Sequence, residues 1–331
     1  MKKIILGLII VLIVSCKEKQ KIGFSIKGKT NGFENGTLIY LKIDNKTLDS
    51  TKVENNTFKF NTKLPLSPIK LLLHNKDFSN YRIFWAENNA MIFDASKTDF
   101  RNAKITGSEA ENLSFSLNKK IETLSINERQ KMEIEFVRSN PNSIVSADIL
   151  SIYSTTWGKE KTKELFLQFS KNIKNSKYGK EIEEYLEFNK EPKIGEQFID
   201  FESENQNGEF KKLSELKGKT VLLEFWASWC APCRKENPKL LDIYKKYNSK
   251  GFEIFSVSLD EDKSSWIRAI NEDNLIWEQV SDLKGNRNKA SLIYGVSGIP
   301  DNFLISENGK IIARNLRVDK LNKKLEEILK Q

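Results

Sequence analysis

The pattern of apolar and polar residues divides the chain into three parts with different periodicities. From residue 22 to about residue 107, short apolar runs recur roughly every ten residues and are separated by turns rich in Asn and Gly. This spacing predicts a compact antiparallel β-domain, a sandwich or a barrel, of about six or seven strands. The strands are expected at residues 24–26, 38–43, 58–60, 69–73, 81–85 and 91–93.

The second part, residues 108–190, has the periodicity of amphipathic helices. Leu113, Leu117 and Ile121 recur four residues apart, which places them on one face of a helix, and similar apolar stripes follow. Such stripes are typical of helix-packing faces rather than of a cofactor site. Residues 191–195, which include a proline, are the predicted hinge into the last part.

The third part, residues 193–331, alternates between strand and helix patterns. Residues 220–227 form a continuous apolar run, as expected of a central strand that is buried on both faces. A helical pattern follows it directly, and further strands are expected at residues 252–259, 302–305 and 310–313. This alternation predicts an α/β domain.

The beginning of the chain has the pattern of an export signal. Two lysines precede an apolar run, residues 4–14, that is too short to cross a bilayer as a helix. The run ends in Leu-Ile-Val-Ser-Cys, which resembles the lipobox of bacterial lipoproteins, where the peptide is cut before the cysteine and the cysteine is acylated. We therefore expect a signal peptide at residues 1–15, and a lipidated Cys16 with a short tether at residues 16–21. The alternative is an ordinary cleaved signal, or an uncleaved anchor with an incidental cysteine.

Composition and charge exclude several other classes of protein. Hydrophobic residues make up 39% of the chain and charged residues 30%, as in ordinary soluble proteins. The formal net charge is +9, but from Lys193 onward 23 Lys and Arg oppose 22 Asp and Glu. The upstream lysines are interleaved with Asn, Asp and Glu, so we expect solvated faces and no nucleic-acid partner. The single histidine, His74, has no cysteine or carboxylate at ligand spacing and is expected to be a surface or strand-end residue.

Cys230 and Cys233 are the remaining cysteines, and they follow the predicted central strand with the spacing Cys-x-x-Cys. At the start of a helix this spacing brings two Cα atoms within disulfide range, and the free N–H groups stabilise a thiolate. We expect Cys230 to be an exposed nucleophile and Cys233 to be the buried resolving cysteine of thiol–disulfide exchange. The alternative is a structural disulfide, although so small a ring restrains little chain entropy.

Glu224 interrupts the apolar run of the central strand. A lone carboxylate in that position would be desolvated, which raises its pKa and suits a proton acceptor for the resolving thiol. A structural acid with satisfied hydrogen bonds is the alternative.

Residues 193–331 resemble the TlpA/ResA-like thiol:disulfide oxidoreductases of the thioredoxin superfamily. The resemblance rests on Trp-Cys-x-Pro-Cys after a strand, with Pro300 and Gly309 downstream. It implies a thioredoxin-like fold, in which a central mixed sheet is flanked by helices. The preceding β-domain, residues 22–107, resembles a domain of unknown function that is found before such domains in many secreted lipoproteins.

The same resemblance implies roles for further residues. Glu224 occupies the position of the family's buried carboxylate, where thioredoxin usually has Asp. Glu236 matches a carboxylate near the active site of reductive members, although a solvated helix residue is the alternative. Ile299 and Pro300 resemble the cis-proline loop, which pairs through its backbone with an extended substrate segment. Trp229 is expected to be an exposed recognition surface.

Together these features predict a membrane-anchored enzyme that exchanges, and preferentially reduces, disulfides of extracytoplasmic proteins, as in cytochrome c maturation. Its partners would be protein disulfides or dithiols and an upstream thiol electron donor. The lipid anchor would place it in the cell envelope, facing the periplasm from the inner or outer membrane, or on the cell surface. No cofactor and no metal are expected, since a copper carrier would lack the usual histidine ligand.

Two other functions stay open. A thiol peroxidase usually has Thr and Arg beside its reactive cysteine, and this pattern is absent around Cys230. A binding or delivery lipoprotein would have its main functional module in the residues upstream of Lys193.

Overall fold

The structure is a computed structural model, and it describes residues 23–44 and 46–329. The predicted signal peptide, Cys16 and the tether lie outside these residues. The chain forms two compact units, of which the first ends at Met132 and the second begins at Glu133. In the part of the chain that the structure describes, we find no helix with the length and hydrophobicity needed to span a bilayer.

The first unit contains a β-domain built from two sheets. Its strands are β1 (Phe24–Lys29), β2 (Leu38–Ile43), β3 (Lys46–Lys52), β4 (Thr57–Thr62), β5 (Ile69–Asn75), β6 (Tyr81–Ala86), β7 (Ala90–Asp94) and β8 (Lys104–Thr106). Within the described residues the strand orders are β4-β1-β7-β8 and β3-β2-β5-β6. The pairs are antiparallel except β1 and β7, which are parallel. In β4, buried Phe58 and Phe60 alternate with exposed residues, so one face of this strand packs on the core.

Helix α1 (Glu109–Ile121) completes the first unit, and the unit boundary falls within α2 (Ile126–Ser139). Ser108 caps α1, since its hydroxyl accepts a hydrogen bond from the N–H of Glu111. The Glu111 side chain is buried and pairs with Arg82 at 2.9 Å. It also accepts a hydrogen bond from the N–H of Trp85, so it ties α1 to β6.

His74 lies at the end of β5, in agreement with the strand-end alternative, but it is not a surface residue, because only 4% of its surface is exposed. Its ring stacks on Phe78 at 3.9 Å and on Tyr40 at 5.3 Å between ring centroids. Nδ1 lies 2.7 Å from the carbonyl oxygen of Asn75. The two aromatic rings therefore remove the imidazole from solvent.

The second unit begins with a helical segment. Its helices are α3 (Ile144–Trp157), α4 (Lys159–Leu167), α5 (Lys171–Lys174) and α6 (Lys177–Phe188). Ser143 and Ser176 cap α3 and α6 through their hydroxyl groups. The apolar faces of these helices share a core that includes Leu150, Leu165 and Ile182.

The rest of the second unit is an α/β domain. Its strands are β9 (Glu202–Glu204), β10 (Phe210–Lys212), β11 (Thr220–Trp226), β12 (Phe252–Ser258), β13 (Glu278–Val280), β14 (Asp301–Ile305) and β15 (Ile311–Arg314). Its α-helices are α7 (Ala231–Tyr247), α8 (Lys263–Glu272), α9 (Lys289–Tyr294) and α10 (Val318–Ile328). The main sheet has the order β13-β12-β11-β14-β15 and is mixed, because β14 runs antiparallel to β11 whereas β12 runs parallel to it. Every residue of β11 is buried, as the apolar run predicts for a central strand.

The predicted hinge between the helical segment and the α/β domain is held by hydrogen bonds. The backbone N–H groups of Lys190 and Glu191 both donate to the carbonyl oxygen of Ile293, at 3.0 and 2.9 Å. Nδ2 of the buried Asn189 donates to the carbonyl oxygen of Leu292 at 2.9 Å. The end of α6 is thus fixed on α9.

Candidate active site

Cys230 and Cys233 form a disulfide where β11 passes into α7. Their Cα atoms lie 5.3 Å apart, and Cys230 is the N-cap of α7. The N–H of Cys233 points at Sγ of Cys230 at 3.3 Å, so an otherwise unpaired N–H of the first helical turn faces this sulfur. Pro232 is accommodated in the same turn, where its missing N–H costs no hydrogen bond. In the reduced protein this geometry would stabilise a thiolate on Cys230.

The expectation that Cys230 is exposed is wrong for this disulfide-bonded form. Cys230 is 4% exposed and Cys233 is 1% exposed, and both belong to the apolar cluster that surrounds β11. Each sulfur is covered in part by the other through the disulfide bond. Cys230 is the more exposed of the two residues, as predicted, but both are almost fully buried.

A buried carboxylate stabilises the loop that precedes the cysteines through hydrogen bonds. Asp260, which is almost fully buried, accepts hydrogen bonds from the backbone N–H of Ser228 at 2.9 Å and from the hydroxyl groups of Ser228 and Ser258. Nη1 of Arg234 donates to the carbonyl oxygen of Ser228 at 3.2 Å. The residue two positions before Cys230 is therefore held at both of its backbone polar groups, by residues that the sequence analysis missed.

Glu224 is buried in the middle of β11. Its Oε2 accepts a hydrogen bond from the hydroxyl of Ser256 at 2.8 Å, and Nε1 of Trp277 donates to that hydroxyl at 2.8 Å. Burial raises the pKa of Glu224 to about 7, although the hydrogen bond from Ser256 opposes the shift and the charge of Glu236 adds to it. This carboxyl group can thus change its protonation state near neutral pH.

The loop before β14 carries two of the three residues predicted to contact substrate. The peptide bond between Ile299 and Pro300 is cis. Among the residues that the structure describes, we find no hydrogen-bond partner for the backbone of Ile299. Nη2 of Arg317 donates to the carbonyl oxygen of Pro300 at 3.1 Å, and Nη1 lies 3.7 Å from Oε2 of Glu236. Arg317, another residue that the sequence analysis missed, therefore connects the proline loop to the predicted carboxylate on α7.

Trp229 is 60% exposed, directly before Cys230, and lines a cavity of about 400 Å³ together with Ile299. A larger groove of about 1120 Å³ lies in the first unit and is lined in part by lysines, but no cysteine lines it. Within residues 23–44 and 46–329, no group of three or more His, Cys, Asp or Glu side chains is placed to hold a metal ion.

Comparison with known proteins also points to thiol–disulfide exchange. Residues 194–314 match the AhpC/TSA family, and residues 24–114 match a domain of unknown function (DUF4369). The thiol-disulfide oxidoreductase ResA of Bacillus cereus is 35% identical over 146 residues, which are 44% of this chain and 82% of that protein. The protein of the same name from Bacillus subtilis is 38% identical over 112 residues, which are 34% of this chain and 61% of that protein.

Solved structures include the C-terminal domain of a putative thiol-disulfide oxidoreductase from Bacteroides thetaiotaomicron. It is 40% identical with a TM-score of 0.40, and the match covers 42% of this chain and 97% of that domain. The predicted thioredoxin-like fold and the predicted enzyme class are confirmed by the family match and the relatives. The chain belongs to the ResA-like thiol-disulfide oxidoreductases.

Proposed function

We propose that this enzyme reduces disulfides of extracytoplasmic proteins while it is held on a membrane by an acylated Cys16. The observation that carries the proposal is the Cys230–Cys233 disulfide at the first turn of α7. The unpaired backbone of Ile299 supports it, because an extended client segment can add to such a backbone as a strand. The direction of the reaction and the anchor rest on the sequence resemblances.

The reaction begins with both cysteines reduced. The Cys230 thiolate attacks one sulfur of the client disulfide, a mixed disulfide forms, and the other client sulfur leaves as a thiolate. Cys233 then loses its proton and attacks Sγ of Cys230, which releases the second client thiolate. The client gains two electrons and the enzyme becomes the disulfide seen in the structure. A dithiol donor returns two electrons by the same exchange in reverse.

Glu224 is the proposed acceptor of the Cys233 proton. Its pKa of about 7 suits the role, since a base with a pKa near the working pH is deprotonated in a large part of the molecules and can still hold a proton. Glu236 would act on this step indirectly, because its negative charge raises the pKa of Glu224. Trp229, Ile299 and Pro300 would contact the client.

The proposed clients are proteins with an accessible disulfide, among them the Cys-x-x-Cys-His segments to which c-type haem is attached. Trapping tests this proposal. In Cys233→Ala the resolving step is lost, so covalent adducts between Cys230 and clients should accumulate in the cell envelope and should disappear on reduction. The matched variant Cys230→Ala should form none, and adducts in that variant would contradict the assignment of the nucleophile.

The anchor has a separate test. Wild-type protein from cells grown with a labelled fatty acid should carry the label, and Cys16→Ala should not, because Cys16 is the proposed site of acylation. A wild type without label, or a Cys16→Ala variant with as much label as the wild type, would contradict lipidation of Cys16, and disulfide exchange would be unaffected by that result.

A further inference from the structure

The cavity beside Trp229 is only partly lined by the thioredoxin-like domain. That domain contributes Trp229 and residues 296–299, directly before Pro300. Much of the remaining lining comes from the helical segment, where α3 contributes Ile152 and Thr155 and α6 contributes Glu181 and Tyr185. All of these residues lie in the second unit. Helices that belong to a different part of the sequence therefore border the active-site face.

This helical wall is fixed in place. The end of α6 is joined to α9 by the hydrogen bonds of Asn189, Lys190 and Glu191. Arg287, which also lines the cavity, pairs with both Glu181 and Glu184 of α6. Because these helices are already held in place, binding of a ligand against them loses little conformational entropy of the protein.

The cavity has a mixed lining in which two large apolar side chains are exposed. Ile152 is 58% exposed and Trp229 is 60% exposed, although both are large apolar side chains. Among the described residues that line the cavity, the charged ones are Glu181 and Arg287, which form an ion pair at 3.0 Å, and the others include Ser, Thr and Asn as well as apolar residues. The exposed apolar surface of Ile152 and Trp229 favours contact with an apolar side chain, because a charged side chain against this surface would lose its hydration without gaining a partner.

The position of the cavity indicates what occupies it. A client disulfide has to reach Sγ of Cys230, and the residue before Cys230 lines the cavity. An extended client segment that pairs with Ile299 would place the residues flanking its cysteine along the same face. A volume of about 400 Å³ is at the small end for ligand pockets and holds a few side chains rather than a folded domain.

We propose that Ile152 of α3, together with Trp229, binds an apolar side chain next to the reactive cysteine of the client, so that the helical segment determines client specificity. This inference rests on the proposed function and assigns part of it to residues outside the thioredoxin-like domain.

The test measures preference between peptides. The full chain is reduced, freed of reductant and mixed with disulfide-linked peptides that differ only in the residues flanking the cysteine, which are Leu, Ser or Lys. Single-turnover rate constants are compared for the wild type, for Ile152→Glu and for the control Leu167→Glu. Leu167 is an equally exposed apolar residue on α4 that does not line the cavity.

The wild type should prefer the Leu peptide over the Ser peptide by about tenfold, the range expected for an apolar pocket. Ile152→Glu should lose this preference and favour Lys over Ser, whereas Leu167→Glu should retain it. A higher rate constant for the Lys peptide than for the Ser peptide would distinguish direct contact at residue 152 from a general loss of structure. A misfolded cleft would not reverse the order of the peptides.

Three results would overturn the inference alone. Ile152→Glu could keep the preference for Leu within about twofold of the wild-type value. The wild type could reduce all three peptides equally, which would leave the proposed function standing. If the wild type were a dimer and Ile152→Glu dissociated it, the occupant of the cavity would be a second copy of the chain and not a client side chain. If the wild type reduced no peptide at all, the proposed function itself would fail and this inference with it.

Discussion

Replacing Glu224 by Gln should stabilise the protein, and the effect should depend on pH. Burial raises the pKa of Glu224 from 4.5 to about 7, so the folded state binds this proton more tightly than the unfolded chain. The difference corresponds to a free energy of about 3 kcal/mol. Because the folded-state pKa is the higher one, the cost of ionising the buried group is absent below about pH 4.5 and complete above about pH 7. Gln has the same shape, keeps an oxygen to accept the hydrogen bond from Ser256, and carries no charge.

Urea unfolding at pH 4.5 and at pH 8 measures this effect. The free energy of unfolding of Glu224→Gln minus that of the wild type should rise by about 3 kcal/mol between the two pH values. Glu202→Gln, at an exposed carboxylate of the same unit, is the control and should change this difference by less than about 0.5 kcal/mol. A difference for Glu224→Gln that is the same at both pH values, within about 1 kcal/mol, would refute the argument that burial controls this group.

Three further predictions concern the active-site loop, the first unit and the reaction class. Asp260→Asn should lower kcat/KM for a disulfide substrate by about tenfold, because the loop at Ser228 loses carboxylate acceptors; an unchanged value would show that the loop is held by other contacts. Arg82→Ala should reduce the free energy of unfolding of the first unit by about 2 kcal/mol at pH 8 and by less at pH 5, since it leaves the carboxylate of Glu111 buried without its cation. Equal losses of free energy at both pH values would contradict this prediction. Consumption of hydrogen peroxide by the reduced wild type should not exceed that of Cys230→Ala, and a large excess would favour the thiol peroxidase despite the missing Thr and Arg.

The active-site loop could be predicted from sequence because several local signals agree there. The apolar run of β11, the Cys-x-x-Cys spacing and Pro232 in the first helical turn all require the same strand-to-helix passage. Glu224 was identifiable for a different reason, since a single carboxylate in a fully buried strand departs from the apolar pattern around it. Sequence resemblance then placed Pro300, which no local periodicity identifies.

Features that depend on tertiary contacts were harder to predict. Strand β3 was missed because it is an edge strand without a buried face, so its residues show no alternation. His74 became buried through two aromatic rings from other parts of the β-domain. Asp260 did leave a signal, because it lies two residues after the end of the buried strand β12, which runs parallel to β11 and ends at the same edge of the sheet. Helical periodicity does not indicate that Ile152 lines the same cavity as Trp229.

The near-complete burial of the disulfide has a consequence for steady-state kinetics. Since both cysteines are almost fully buried and Cys230 is the more exposed residue of the two, we expect an oxidised client and a reducing donor to dock, in turn, at the same place beside Cys230. The two half-reactions then alternate without a ternary complex, which is a ping-pong scheme. Double-reciprocal plots at several donor concentrations should be parallel, and an excess of either substrate should inhibit by occupying the form of the enzyme with which it cannot react.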